Sequence, residues 1–450
     1  MHTSAFDEIL HRVAQVLAGG GEGDADAWTA LDEDIRSALR YGGLPAAPAW
    51  FPDGPTRFPG DPTRFPGGDG TDRPGVELLA VALCGSDGRI REAALAYAGD
   101  TPALLPLVAI RCADWAGPVR ERARAVLRAE LSGPDSRPSE ALGALAPVIL
   151  RVAGRRHGDA ARELLVQVLR EGPETGVTVL RASRDRRVRR LAHRIAVDRG
   201  LLSPAQLAAT AVADPDVVVQ DLCADAVLAA VGADGGTAGG APLTRLLGAR
   251  QGRIRAAGVT GLRKAGRAEE AEPFLYDRSA LVRACARWVL RQTGTEPLPL
   301  YRAACAAGDG MPDHAPTGLA ECGDRATDAP VLWEFTGDER PRVRAAAVAG
   351  LRVLDAVRPG RLAPLLDDSS PRVVRETRKA LRPWADHFPV AGPPRPAAVA
   401  PSPRVEGDTS TPPPEAGGAP RRDTASPEAP GARGRMRRML GFRGVFPRPR

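Results

Sequence analysis

The chain has almost no lysine. Of its 62 basic residues only Lys264 and Lys379 are lysines, and the rest are arginines. GC-rich codon usage gives this bias, along with much Ala, Gly and Pro, so a pI near 9.5 is no argument by itself for nucleic acid. Aromatic residues make up only 4%. Burial therefore falls to Ala and Leu, which suits closely packed helices and disfavours sheets. Paired cysteines are missing as well. Cys84, Cys112, Cys223, Cys285, Cys305 and Cys322 stand singly, with no CxxC and no Cys/His metal spacing. That pattern excludes a disulfide framework and a zinc site, and it suits a reducing cytoplasm. The N-terminal "MHTSAFDEILHRVAQVLAGG" lacks the basic start and apolar run of a signal peptide. No stretch approaches the ~18 apolar residues that span a bilayer, so no transmembrane segment is expected.

Catalytic signatures are absent too. There is no G-x-S-x-G, Walker A, HExxH or dinucleotide fingerprint. His2, His11, His157, His193, His314 and His387 are scattered and share no motif. His193 is expected on a helix surface. Asp221 and Asp225, spaced i, i+4, read as two exposed carboxylates. We expect no enzyme, no cofactor and no metal.

What is present is internal repetition. "GDERPRVRAAAVAGL" (337–351) has close relatives in "YDRSALVRACARWVL" and "DDSSPRVVRETRKAL". Aligning on one branched residue gives anchors at Ile90, Val119, Val188, Val219, Ile254, Val282, Val343 and Val373. Their spacings are 29, 69, 31, 35, 28, 61 and 30 residues. The two near-double gaps predict divergent units at 158–169 and 315–324. Four residues past the anchor every residue but Thr377 is Ala, Gly or Cys, and eight past it every residue is apolar. Positions 0, 4 and 8 share a helical face, and a small residue at its middle lets a neighbouring helix approach.

Two polar columns accompany this face. One residue past the anchor stand Arg91, Arg120, Arg189, Arg255, Arg283 and Arg344, with Gln220 and Val374 as exceptions. Five residues before it stand Asp114, Asp214, Asp277, Asp338 and Asp368. Each Asp falls at the turn entering the helix, where its carboxylate accepts backbone N–H bonds. Shorter amphipathic segments lie between, such as 101–112, 203–213, 241–249 and 359–368. Thr101-Pro102 and Ser203-Pro204 each place a capping hydroxyl before a first-turn proline. Each unit reads as a helical hairpin that must stack on its neighbours to bury its face.

The D-x4-V-R-x2-A-x3-L word, at intervals near 30 residues over roughly 74–386, resembles the HEAT-repeat family. The period is similar to that of the phycobilin-lyase subtype. The resemblance implies an all-α, right-handed α-α superhelix whose second helices line the concave face. It also implies that Asp114, Arg120, Asp214, Asp277, Arg283, Asp338, Arg344 and Asp368 form a ladder joining repeats. Lyase-like activity would follow from resemblance alone, since no candidate site supports it.

The organisation expected is N-terminal helices over 1–41 as a cap or degenerate repeat, a Pro/Gly-rich disordered insertion over 42–73, and a solenoid of about ten repeats over 74–388. A disordered linker over 389–430, holding twelve prolines, and an Arg-rich tail over 431–450 follow. The insertion carries a tandem "TRFPG". The tail holds seven arginines and no acid, which equals the whole formal net charge of +7. Among Arg433, Arg435, Arg437, Arg438 and Arg443 lie Leu440, Phe442 and Phe446. That mixture suits a segment that folds on an acidic partner, an anionic membrane surface or nucleic acid. Inside the fold, Arg186, Arg190 and Arg194 share a helical face and form a candidate basic patch. The function expected is a non-enzymatic scaffold that binds a protein partner. Nucleic-acid binding is the alternative.

Overall fold

The small-residue column decides how the helices meet. In the computed structural model, seven of the eight anchors are buried, Ile90 being half-buried, and every residue four or eight past an anchor is buried. The structure describes residues 5–19, 25–41, 75–132, 138–233 and 240–387. The TRFPG insertion, the linker over 389–430 and the tail with Arg433, Arg435, Arg437, Arg438 and Arg443 lie outside them. Among the described residues every regular element is a helix.

The chain divides into two units, Met1–Gly266 and Arg267–Arg450. The first holds α1 (Ala5–Ala18), α2 (Ala25–Tyr41), α3 (Val76–Cys84), α4 (Gly88–Ala98), α5 (Leu105–Arg111), α6 (Gly117–Ser132) and α7 (Pro138–Val152). It continues with α8 (Asp159–Glu171), α9 (Glu174–Arg181), α10 (Arg186–Asp198), α11 (Pro204–Ala213), α12 (Val217–Ala233), α13 (Gly240–Leu247) and α14 (Gly252–Lys264). Successive pairs from α3–α4 to α13–α14 form hairpins. The second members, α4, α6, α8, α10, α12 and α14, pack in order as one row. The first members α3, α5, α7 and α9 pack in order as another. The divergent segment 158–169 takes its place in the anchor row as part of α8. Its Leu165 and Leu169 are buried where other helices carry the small and terminal columns.

The N-terminal helix α2 lies against α3, α5 and α7. Trp28, Leu31 and Ile35 make its buried face, at the spacing of one helical stripe. Asp32 sits in the middle of that stripe and is buried as well.

In the second unit the anchor-type helices are α15 (Ala280–Arg291), α17 (Ala315–Cys322), α19 (Pro341–Val353) and α21 (Pro371–Leu381). Before α15 runs the 3-10 segment Ala268–Tyr276. Before α17 runs α16 (Pro297–Cys305), before α19 α18 (Arg325–Glu334), and before α21 the short α20 (Pro359–Leu362) with a 3-10 turn. The segment 315–324 becomes α17, which packs on α16 and α19. Close approach here depends on Gly318, because a Cβ at that position would fall inside the ring of Tyr301. The Tyr301 hydroxyl in turn donates to the Leu275 carbonyl at 2.8 Å, so the ring is fixed on both sides.

The capping reading holds at one proline pair and fails at the other. Ser203 accepts from the Gln206 N–H and forms a full capping box. Thr101 makes no cap, because its hydroxyl donates backwards to the Tyr97 carbonyl at 3.1 Å, at the end of the preceding helix. His193 also departs from expectation. It is only 3% exposed, with Nδ1 2.9 Å from the Arg189 carbonyl oxygen. Position 5 past the anchor faces inward beside the small column, so this imidazole is core rather than surface. Burial pushes its pKa down.

Val343 has no exposed surface. Val343→Asp places an unpaired carboxylate in the stack and is expected to destabilise by about 3–5 kcal/mol in urea unfolding. An unfolding midpoint equal to wild type would refute the repeat register.

Candidate functional site

The arginine column has one constant task. Each arginine donates to the carbonyl six residues earlier: Arg91 to Gly85 at 2.7 Å, Arg120 to Asp114 at 2.8 Å and Arg189 to Ser183 at 3.0 Å. Arg255 bonds Ala249 at 2.8 Å, Arg283 bonds Asp277 at 2.7 Å and Arg344 bonds Asp338 at 2.8 Å. Gln220 makes the same bond to Asp214. These carbonyls belong to the turn between the two helices of a hairpin, where helix geometry supplies no partner.

The aspartate column closes the same turn. Asp114, Asp214, Asp277, Asp338 and Asp368 each accept the N–H two residues on, at 2.7–2.9 Å. Between successive hairpins the pairing varies. Arg91 grips Asp114 at 3.0 and 2.8 Å, and Arg344 grips Asp368 at 2.8 and 2.9 Å. Arg189 approaches Asp214 at 3.6 Å. Arg283 turns to Glu321 of α17 in place of a ladder aspartate. Asp338 is held by Arg340 of its own turn at 3.1 Å. Arg120 bonds the carbonyls of Asp114 and Trp115.

The deepest charge cluster was not visible as a column. Arg111 is 1% exposed and Asp32 2%. The two are paired, and Arg111 also reaches Asp114 at 3.4 Å. Arg36 reaches Asp32 at 3.0 Å and Asp114 at 3.8 Å, and Arg155 stands 3.9 Å from Asp32. Four arginines thus surround two carboxylates, tying α2 to α5, to the α5–α6 turn and to the α7–α8 turn, with α4 joined through Arg91. Arg91 also stacks 5.5 Å from the Trp115 ring. Cys84 lies beside this cluster, and burial, with the Asp32 carboxylate, pushes its thiol well up. Residue by residue the only signals are an acid inside an apolar stripe at Asp32 and a lone cation in the apolar run "LPLVAIRC", and neither names its partner.

The predicted basic patch on α10 is partly neutralised. Arg186 and Arg194 are exposed, but Arg190 is bound to Asp216 at 3.1 and 3.0 Å. Asp221 is likewise linked to Arg253 at 2.8 Å. The cysteines are poor nucleophiles. Burial pushes Cys112 and Cys305 up to about 12, and Cys223 and Cys285 up to about 11. Among the described residues no group of three or more His, Cys, Asp or Glu side chains is placed to hold a metal ion. Among the same residues no helix is long and apolar enough to cross a membrane.

Two concavities in the second unit are lined by described residues. One, of about 480 Å³, crosses the first turns of α15, α17, α19 and α21. Its floor is Ala345, Ala346, Ala349 and Thr317, and its rim is Arg278, Arg283, His314, Arg342, Arg372, Arg375 and Glu376. A second, of about 640 Å³, continues along α21 past Arg375 to Arg378, Lys379 and Arg382. Burial, with Arg283 nearby, pushes the His314 pKa down.

No protein-family model matches the chain, and no curated protein matches it. Similar solved structures include an engineered protein of the Northeast Structural Genomics Consortium. It is 16% identical, with 84% of this chain and 98% of that one covered, at a TM-score of 0.22. Kap121p is 13% identical over 67% of this chain and 40% of its own, at a TM-score of 0.26. A Kap121p mutant gives 14%, 69%, 42% and 0.27. The chain thus spans about two fifths of Kap121p, and overlaps this slight carry no argument about its role.

Asp114→Asn removes the carboxylate shared by Arg91 and Arg111. It is expected to cost about 3 kcal/mol or more. Combined with Arg91→Met it should cost less than the two single changes together, by about 1 kcal/mol or more in a double-mutant cycle. Strict additivity in urea unfolding would exclude the coupling. A second expectation concerns acid. The Arg344 hydrogen bond holds Asp368 below the ordinary carboxyl value of 3.8, against the opposing effect of burial. A depressed folded pKa adds stability that is complete above 3.8 and is lost as pH falls below it. Arg344→Met should therefore flatten the acid limb of urea midpoint against pH, and an equally steep limb would refute this.

Proposed function

We propose that this chain is a HEAT-type scaffold, of the short-period kind found in phycobilin-lyase repeats. It binds a protein partner along its exposed helix faces, and its arginine-rich tail supplies a second contact. One observation supports the reading: the buried charges run between helices and turns, as Arg91–Asp114, Arg111–Asp32 and Arg344–Asp368 do. Groups so engaged brace the stack and are not presented to a reacting substrate. The exposed surface of each row is then what the molecule offers to others. A tethered second contact would add avidity through effective concentration.

Nucleic acid is the second reading. It is favoured by the exposed Arg186, Arg187 and Arg194 on α10, and weakened by the Arg190–Asp216 pair. Its mark is a steep loss of binding with salt.

The test is a nuclease-treated capture from native lysate with chemical crosslinking. It compares the full chain with one in which Arg433, Arg435, Arg437 and Arg438 are replaced by Glu. A discrete partner retained by both, and crosslinked to the helical rows, is the expected result. Recovery only without nuclease, or loss of every partner with the tail change, would overturn the scaffold reading.

A further inference from the structure

We infer that the arginine-rimmed depressions along α19 and α21 dock an acidic segment of a partner protein that carries aliphatic side chains between its carboxylates. This rests on the scaffold reading and names the chemistry of the partner.

The two depressions share Arg375, so they form one strip. On α21 and at its C-terminal cap, Arg372, Arg375, Lys379 and Arg382 recur at three- and four-residue steps, with Arg378 beside them. Like charges at that spacing repel one another on a helix. The acids at hand answer few of them. Asp368 is bound to Arg344, and Glu376 is shared between Lys379 at 2.8 Å and Arg375 at 3.6 Å. On the neighbouring helices Arg283 is bound to Glu321, and Arg342 to Asp313 at 3.2 Å. Arg372 and Arg378 are exposed and form no ion pair among the described residues. The strip therefore carries cations in excess of its acids, and Arg372 and Arg378 stand open to an added anion.

Two features select the occupant. The floor is apolar at Ala345, Ala346 and Ala349, and its one hydroxyl, on Thr317, is spent on the Ala346 carbonyl, so it seats aliphatic side chains between the charges. A peptide that alternates carboxylates with aliphatic groups matches both parts, whereas a sugar-phosphate backbone offers nothing to the floor. The chain's own last 20 residues hold seven arginines and no acid, and residues 389–430 offset five acids with four arginines and hold no Leu or Ile, so neither segment complements the strip. The anion comes from another protein. Guanidinium forks bind carboxylates in pairs, which sets direction as well as affinity.

The experiment measures fluorescence anisotropy of a labelled eight-residue peptide alternating Glu and Leu, titrated with the full chain. A Lys/Leu peptide and oligothymidylate serve as comparators. Arg372→Glu with Arg378→Glu is expected to weaken binding of the Glu/Leu peptide by about tenfold or more. Arg186→Glu with Arg194→Glu, on α10, should leave it unchanged. Melting curves check that the reversed chain is folded, and Arg372→Ala with Arg378→Ala replaces it if it is not. Three outcomes would overturn the inference: no binding beyond the Lys/Leu peptide, binding indifferent to both α21 variants, or oligothymidylate held more tightly at the same strip. A partner captured from lysate with crosslinks away from α19 and α21 would also remove the strip, while leaving the scaffold reading intact.

Discussion

Everything in the stack depends on the bond from the arginine after each anchor to the carbonyl six residues back. That carbonyl ends the first half of a hairpin, and the arginine opens the second, so one side chain fixes the angle between them. Arg91, Arg120, Arg189, Arg255 and Arg344 bond the next carbonyl too, as Arg91 does with Ser86 at 3.0 Å. The remaining edge of the same guanidinium is free to meet the aspartate of the following hairpin. Only a planar group with five donors serves two carbonyls and a carboxylate at once, which a lysine ammonium does not. Codon bias explains why arginine is common in this chain, while geometry explains why it stands in this column. Gln220 shows the division of labour. It keeps the carbonyl bond and has no charge to pass on, and Arg253 of the next hairpin reaches back to it and to Asp221.

Such a spine is expensive to bury. Arg91 and Asp114 have side chains almost without exposed surface, and desolvating both offsets much of their attraction. What the pair supplies is orientation. A hydrophobic face of Ala and Leu tolerates rotation and slip between stacked hairpins, because its surface is nearly uniform. A bidentate pair between two turns permits one register. The cluster around Asp32 and Arg111 does the same for α2. Trp28 and Ile35 would hold that helix against several neighbours, but a buried carboxylate must find its guanidinium, and that selects one placement.

The periodic part of this was legible from residues alone. The anchor, small and terminal columns need only helical spacing, and the turn aspartates need only their position before a helix. The α2 cluster was hidden because Asp32 and Arg111 are 79 residues apart and belong to no repeat column. His193 was misplaced because a polar residue between arginines looks solvated, and only the packing of α10 shows that position 5 turns inward. Thr101 was misread because its hydroxyl had two backbone partners within reach, and spacing does not decide between them.

The same columns describe the ground of the depression over α19 and α21. In the first unit the residue two past the anchor is charged at Arg190 and Asp221, and each meets an opposite charge, Asp216 in the turn before α12 and Arg253 on α14. In the second unit the same position is Ala345 in α19, which fills nothing, and Arg375 in α21, whose contact is with its own neighbour Glu376. Arg342 and Arg372, one residue before their anchors, are left standing at the edges. The spine does not sense this difference, since its bonds run from the arginine one past the anchor to the turn behind it. The position one before the anchor, exposed at Arg342 and Arg372, is thus free to vary without loosening the stack. A fold whose bracing charges and presenting charges occupy adjacent but independent columns can change its partner while keeping its architecture.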